Sequence, residues 1–131
     1  MTNDSSYFQH HHALLQALYQ YCLQQAPFNS DSSNDIDADF ISTLEKISQA
    51  SHFDQTIQQQ GQAIITKIVS NYPHITPAVS RDLFWFFGGE CLHYMGDEEL
   101  SLYQQLDELL HEPNEHELDY NEAKAKVFQL H

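Results

Sequence analysis

Positive charge is scarce in this chain. Five Lys and Arg residues face 19 Asp and Glu in 131 residues, a formal net charge of −14 with the nine histidines counted neutral. Nucleic acids and anionic lipid headgroups repel so negative a body unless cations gather on one face. Lys46, Lys67, Arg81, Lys124 and Lys126 are scattered apart from one pair near the end, so neither nucleic acid nor membrane is expected as a partner. Cysteine is sparse too. Cys22 and Cys91 lie about half a chain apart without CxxC spacing, in apolar helical contexts where a thiol packs as a small hydrophobe. The longest unbroken apolar run, Leu83 to Phe87, falls far short of a membrane span. The opening residues Met1 to Ser6 carry no positive charge, and no apolar run of signal-peptide length follows them. A reduced, cytoplasmic protein is the expectation.

Motifs are missing as well. There is no G-x-G-x-x-G, P-loop, G-x-S-x-G elbow, H-E-x-x-H or cysteine cluster, so a nucleotide-dependent enzyme is not expected. What the chain does have is a core: 41% hydrophobic and 12% aromatic residues argue against disorder despite the charge. A chain of this length buries roughly two-thirds of its unfolded surface as one domain, without needing a disulfide or metal.

Apolar positions recur at helical spacing in almost every segment, which predicts an all-α, single-domain helical bundle of about five to six helices over residues 1–131. The first runs from Asp4–Ser6 to Gln25 with Phe8, His11 or His12, Leu15, Leu18 and Cys22 inward. A Ser-, Asn- and Asp-rich stretch around residues 29–36 reads as a mobile loop. The second helix spans Asp37 to Ala50, and Asp54 caps a third carrying Ile57, Gly61, Ile64, Ile65 and Ile68. Thr76-Pro77 reads as the start of a fourth that includes Val79, Leu83, Phe84, Phe86 and Phe87 and is open to continuing across Gly88-Gly89 to Met95. A fifth begins at Asp97, with Leu100, Tyr103, Leu106, Leu109 and Leu110 inward. Asp119 to Glu122 resembles a capping box for a last helix that buries Ala123, Val127 and Leu130 and exposes Lys124 and Lys126.

Candidate chemistry concentrates between Arg81 and Met95, a segment apolar on nearly all sides if helical. Two adjacent glycines inside a helix cost about 1 kcal/mol each relative to Ala. Gly88 and Gly89 therefore mark a break, a kink, or the close approach of a backbone or ligand, with a pocket floor beside Trp85 and Tyr94 as the functional version. Glu90 and His93 stand at i, i+3, the spacing by which one helix gives a Glu and a His to a carboxylate-bridged metal site. A dinuclear site would need a second such pair and two further carboxylates on other helices. The simpler version is a mononuclear divalent-metal site with a third ligand, against a plain hydrogen-bonded pair. His111, Glu112, Glu115 and His116 cluster around Pro113 without a rigid common face.

Arg81, the sole arginine, is spaced to stack on Trp85 and is the one candidate to hold a carboxylate or phosphate ligand, against a salt bridge to a neighbouring helix. Asp82 fits the first turn of its helix. His10-His11-His12 point roughly 100° apart on a helix and cannot converge on one ion, so no dedicated role is assigned to them. Gln58-Gln59-Gln60 reads as an exposed helix turn.

The stretches Asn71-Tyr72-Pro73-His74, Arg81 to His93 and Asp97-Glu98-Glu99 resemble the central block of an uncharacterised family of small acidic gammaproteobacterial proteins, over about a third of the chain. The resemblance implies cytoplasmic proteins of unknown function and supplies no catalytic residue. A dehydrogenase label sometimes attached to such sequences finds no cofactor motif here.

The leading expectation is a non-enzymatic module that acts by protein–protein contact, as a homodimer or with another protein, and needs no cofactor. The alternative is a metal- or small-ligand-binding helical protein using Glu90 and His93, with Arg81, Trp85, Gly88, Gly89 or Tyr94 near the site. A third reading is an acidic mimic of nucleic acid, to which ten acids between Asp97 and Glu122 would contribute.

Overall fold

The computed structural model describes residues 3–31, 34–111 and 120–129. Six α-helices account for most of them: α1 Asn3–Leu23, α2 Asp35–Ser48, α3 Gln55–Asn71, α4 Arg81–Phe87, α5 Asp97–His111 and α6 Tyr120–Gln129. Two 3-10 segments, Thr76–Ala78 and Gly89–Tyr94, flank α4. No strand occurs among the described residues, and the helices form a single all-α domain. No described helix is long and apolar enough to cross a membrane.

The apolar periodicity places the core. Leu15, Leu18 and Cys22 of α1, Phe40, Leu44 and Ile47 of α2, and Ile64, Ile65 and Ile68 of α3 are buried together. Leu83, Phe84 and Phe87 of α4, Tyr103, Leu106 and Leu110 of α5, and Tyr120, Ala123 and Val127 of α6 continue the same cluster. Leu130 lies outside the described residues. Local signals fix several ends. The Asp54 carboxylate accepts from Ile57 N at 2.9 Å and caps α3, and three acids fill the first turn of α5, where the helix dipole favours them.

Three expectations are corrected. α2 starts at Asp35, because Asn34 and Asp37 form a reciprocal capping box and Asp37 is tied down by the Tyr72 hydroxyl at 2.5 Å. Thr76-Pro77 opens only a three-residue 3-10 turn. The chain is extended at Val79 and Ser80, and the Ser80 side chain caps α4 afresh by accepting from Asp82 N at 3.3 Å. α4 also does not cross the glycines: it stops at Phe87, with Gly88 at φ 64° and Gly89 at φ 58°, backbone that favours glycine. Of the expected loop, Phe28 stacks on Phe40 at 5.2 Å just before it begins; residues 32 and 33 lie outside the described set.

The short α4 is held at both ends by other elements. Its last carbonyls have no helical partner, and glutamines from α3 supply donors. Gln58 Nε2 donates to the carbonyls of Phe86 and Phe87, each at 2.8 Å, and Gln62 Nε2 donates to Phe87 O at 2.8 Å. Gln58 is therefore a clamp rather than part of an exposed turn. Beside it, Gly61 lets the Phe87 ring lie against the α3 backbone: a Cβ there would sit 2.1 Å from Phe87 Cε1.

Candidate functional site

The polar chemistry of the described residues converges on Asp82. α4 begins where α1, α5 and α6 meet, so the second residue of its first turn points inward, and Asp82 is 1% exposed. Three donors arrive from three helices. The Tyr103 hydroxyl of α5 donates to Oδ1, Lys124 Nζ of α6 reaches the same oxygen at 2.6 Å, and His10 Nε2 of α1 lies 2.7 Å from Oδ2. Burial alone would raise the carboxyl pKa. The bonds from His10, Lys124 and Tyr103 outweigh it and hold Asp82 well below the usual carboxylate range. Tyr103, desolvated and bonded to that anion, is pushed far up.

His11 lies in the same junction, fully buried. Its Nδ1 donates to Tyr7 O at 2.8 Å, while its Nε2 has no hydrogen-bond partner among the described residues. The ring stacks on Phe86 at 4.3 Å and meets Tyr7 at 4.4 Å and Tyr120 at 4.9 Å. Burial lowers its pKa to about 4. His12 stacks on Phe8 at 5.2 Å. The triple histidine thus splits three ways: a donor to Asp82, a core ring and a flank ring. Sequence reasoning shows that the three diverge and puts His11 or His12 on the inward stripe, but it assigns none of them a dedicated role. The available signal is that an imidazole on the inward stripe of α1 needs polar or aromatic company.

Lys124, expected at the surface, is half-buried on Asp82, with Nζ 5.4 Å from the Phe128 ring centroid. A lone Asp one residue inside a helix start reads from sequence as a dipole partner, and nothing local reveals that three other helices aim donors at it.

The sequence candidates lie on α4 and on the segment that follows it. Arg81 grips Glu99 of α5 with Nε at 2.8 Å and Nη2 at 2.7 Å, and donates to Tyr94 O at 2.7 Å. Its cation–π partner is Phe84, at 4.6 Å, rather than Trp85. The salt bridge to a neighbouring helix is what the structure shows. Trp85 stacks on Tyr103 at 5.8 Å and donates its indole N–H to Asp107 at 3.1 Å. Gly88 and Gly89 end α4, and a Cβ on Gly89 would come within 2.8 Å of the Gln62 amide, so these glycines serve backbone geometry and close packing on α3. Tyr94 is 38% exposed.

Glu90 and His93 stand on the 3-10 segment after the glycines, both exposed. Three residues per turn still bring i and i+3 onto one edge. Glu90 also borders a shallow groove of about 490 Å³ along Gln59, Ala63, Thr66 and Lys67 of α3. Among the described residues no group of three or more His, Cys, Asp or Glu is placed to hold a metal ion. Of the second cluster, Glu112, Glu115 and His116 lie outside the described residues, as does Asp119 of the expected capping box. Cys22 and Cys91 are buried free thiols, each pushed up to about 11 by burial, which suppresses the reactive thiolate.

No curated protein and no solved structure matches the chain. One family model does, over residues 3–131, nearly the whole chain and more than the central block that carried the resemblance. The chain belongs to the PA2817-like family.

Proposed function

We propose that this protein is a cytoplasmic, non-enzymatic helical module that works by protein–protein contact, first as a homodimer, and needs no cofactor. One observation carries the reading: the described groups best suited to chemistry are already committed to one another. Asp82 is saturated by Tyr103, Lys124 and His10 inside the core, Arg81 is held by Glu99, and both thiols are buried. A general acid, base or anion-binding residue must face its substrate. These face each other. What faces outward is an acidic helical surface with Ile36, 55% exposed, the most exposed large apolar side chain among the described residues. Two unpaired thiols suit a reducing compartment.

Size-exclusion chromatography with light scattering tests it: the expected mass is twice the 15.2 kDa of the chain, and a monomer at every concentration removes the homodimer. The metal-binding alternative, which rests on Glu90 and His93 sharing one edge, is read by elemental analysis of untagged protein. Stoichiometric metal that disappears in His93→Ala would replace the interaction reading. The acidic-mimic reading predicts partner binding that collapses with added salt, since exposed charges are screened within about 10 Å at 0.1 M.

A further inference from the structure

The buried imidazole of His11 sits where the C-terminal helix is attached. α6 has ten residues, and helices shorter than about 12 residues are marginal in water on their own. It stands only while docked. Its docking surface is Tyr120, Ala123 and Val127, all buried, with the Phe128 ring against Tyr103 of α5 at 5.1 Å; Tyr120 lies against both histidines of α1, its ring 4.3 Å from His10 and 4.9 Å from His11. A polar tie from α6 into the core is Lys124 on Asp82. The far half of α1 packs elsewhere, through Leu15, Leu18 and Cys22 in the cluster shared with α2 and α3.

We propose that His11 is a proton-triggered release for α6: protonation at its buried Nε2 undocks this helix from α1, α4 and α5, while α2, α3 and the far half of α1 stay assembled. Nε2 has no hydrogen-bond partner among the described residues, so in the closed form an imidazolium would carry an unsatisfied charged donor against the rings of Phe86 and Tyr120. The groups that face it do not rescue it. α1 contributes Tyr7 and His10, α6 contributes Tyr120 and the cation of Lys124, and α4 contributes the carboxylate of Asp82, already shared by three donors. Tyr103 and Asp107 of α5 border the same junction. Opening returns the ring to water.

Burial sets the closed-state pKa at about 4, below the ordinary 6.5 of a free imidazole. The closed form therefore binds fewer protons across that interval. Acid favours the open form, and one linked proton multiplies the open-to-closed ratio about tenfold per pH unit between roughly 6.5 and 4.

Amide hydrogen exchange on the full chain, corrected for the intrinsic pH dependence of exchange, tests this together with the emission of Trp85, the single tryptophan. In the wild type, protection of residues 120–129 should fall about tenfold per pH unit over that range, while α2 and α3 keep theirs. His11→Phe retains the ring without a titratable nitrogen and should flatten the slope. His11→Gln, neutral and polar, should do the same and carries the comparison where the Phe variant fails to fold. Wild-type α6 protection that does not change with pH overturns the proposal. So does a slope that survives in either His11 variant, a slope abolished by His10→Gln alone, or loss of α2 and α3 protection in step with α6.

Discussion

Gly61 shows how much a single hydrogen can decide. Its Cα hydrogen faces Phe87, and an added methyl would lie 2.1 to 2.4 Å from three ring carbons. Neither the ring, buried at 1% exposure, nor α3 has room to yield. Gly61→Ala gains about 1 kcal/mol of helix propensity, but overpacking costs about 1–3 kcal/mol, and more where the overlap is this deep. The expected outcome is a net loss of about 2 kcal/mol in urea unfolding. Combining it with Phe87→Leu should recover part of that loss, because the two sites share one contact; strict additivity would show the clash is not the cause. Asp82 makes the same point with charge. Asp82→Asn leaves Lys124 facing a neutral amide, and removing one partner of a buried ion pair costs about 3–5 kcal/mol. Adding Lys124→Met to that variant should cost less than Lys124→Met does in the wild type, a coupling that a double-mutant cycle reads directly.

At the scale of the element, α4 owes its existence to its neighbours. Seven residues cannot form a stable helix alone; Ser80 supplies the start, and Gln58 and Gln62 supply donors at the end. Gln58→Ala removes the side-chain donor to Phe86 O. Loss of one such bond to a half-buried carbonyl should lower stability by about 1–2 kcal/mol and speed amide exchange in α4 before it does in α2. Equal acceleration in both helices would mean that Gln58 supports the whole fold rather than this end. The contrast with helix starts explains what was legible in the sequence. Asp54 and the Gly96–Asp97 junction act within one turn, so residue identity alone located them. Gly88-Gly89 was visible as a disturbance, yet the choice between kink and stop depended on Gln62 and Phe87 packing from other positions. The same holds for the polar junction: His10, Tyr103 and Lys124 lie 72, 21 and 42 residues from Asp82, distances over which no periodicity or spacing rule speaks. Leu83, Phe84, Phe87 and Cys91 are buried within the segment from Arg81 to Met95, while its buried polar residue is Asp82, for which sequence alone suggests only a dipole partner.

At the scale of the molecule, the net charge of −14 acts on every helix at once, and its sign sets the response to salt. Like charges spread over one small domain repel in the folded state more than in the expanded chain, so self-repulsion destabilises the fold. Added salt screens it, with a Debye length of about 10 Å at 0.1 M and about 3 Å at 1 M. The opposing effect is weakening of attractive pairs, and two of those named are placed differently. Asp82 and Lys124 are shielded by burial and respond little; Arg81 and Glu99 are partly open to solvent, at 44% and 26% exposure, and such a pair is worth about 1 kcal/mol or less. Repulsion among the excess acids therefore dominates. Raising sodium chloride from 20 mM to 500 mM should lift the thermal midpoint by a few degrees and, because two copies of an acidic chain also repel, should tighten any homodimer. Glu99→Gln separates the two effects, since it deletes the Arg81 pair while lowering the negative charge by one: its stability at 20 mM salt should stay within about 1 kcal/mol of the wild type. A thermal midpoint that falls as salt is added would show that attractive surface pairs, rather than excess negative charge, govern this fold.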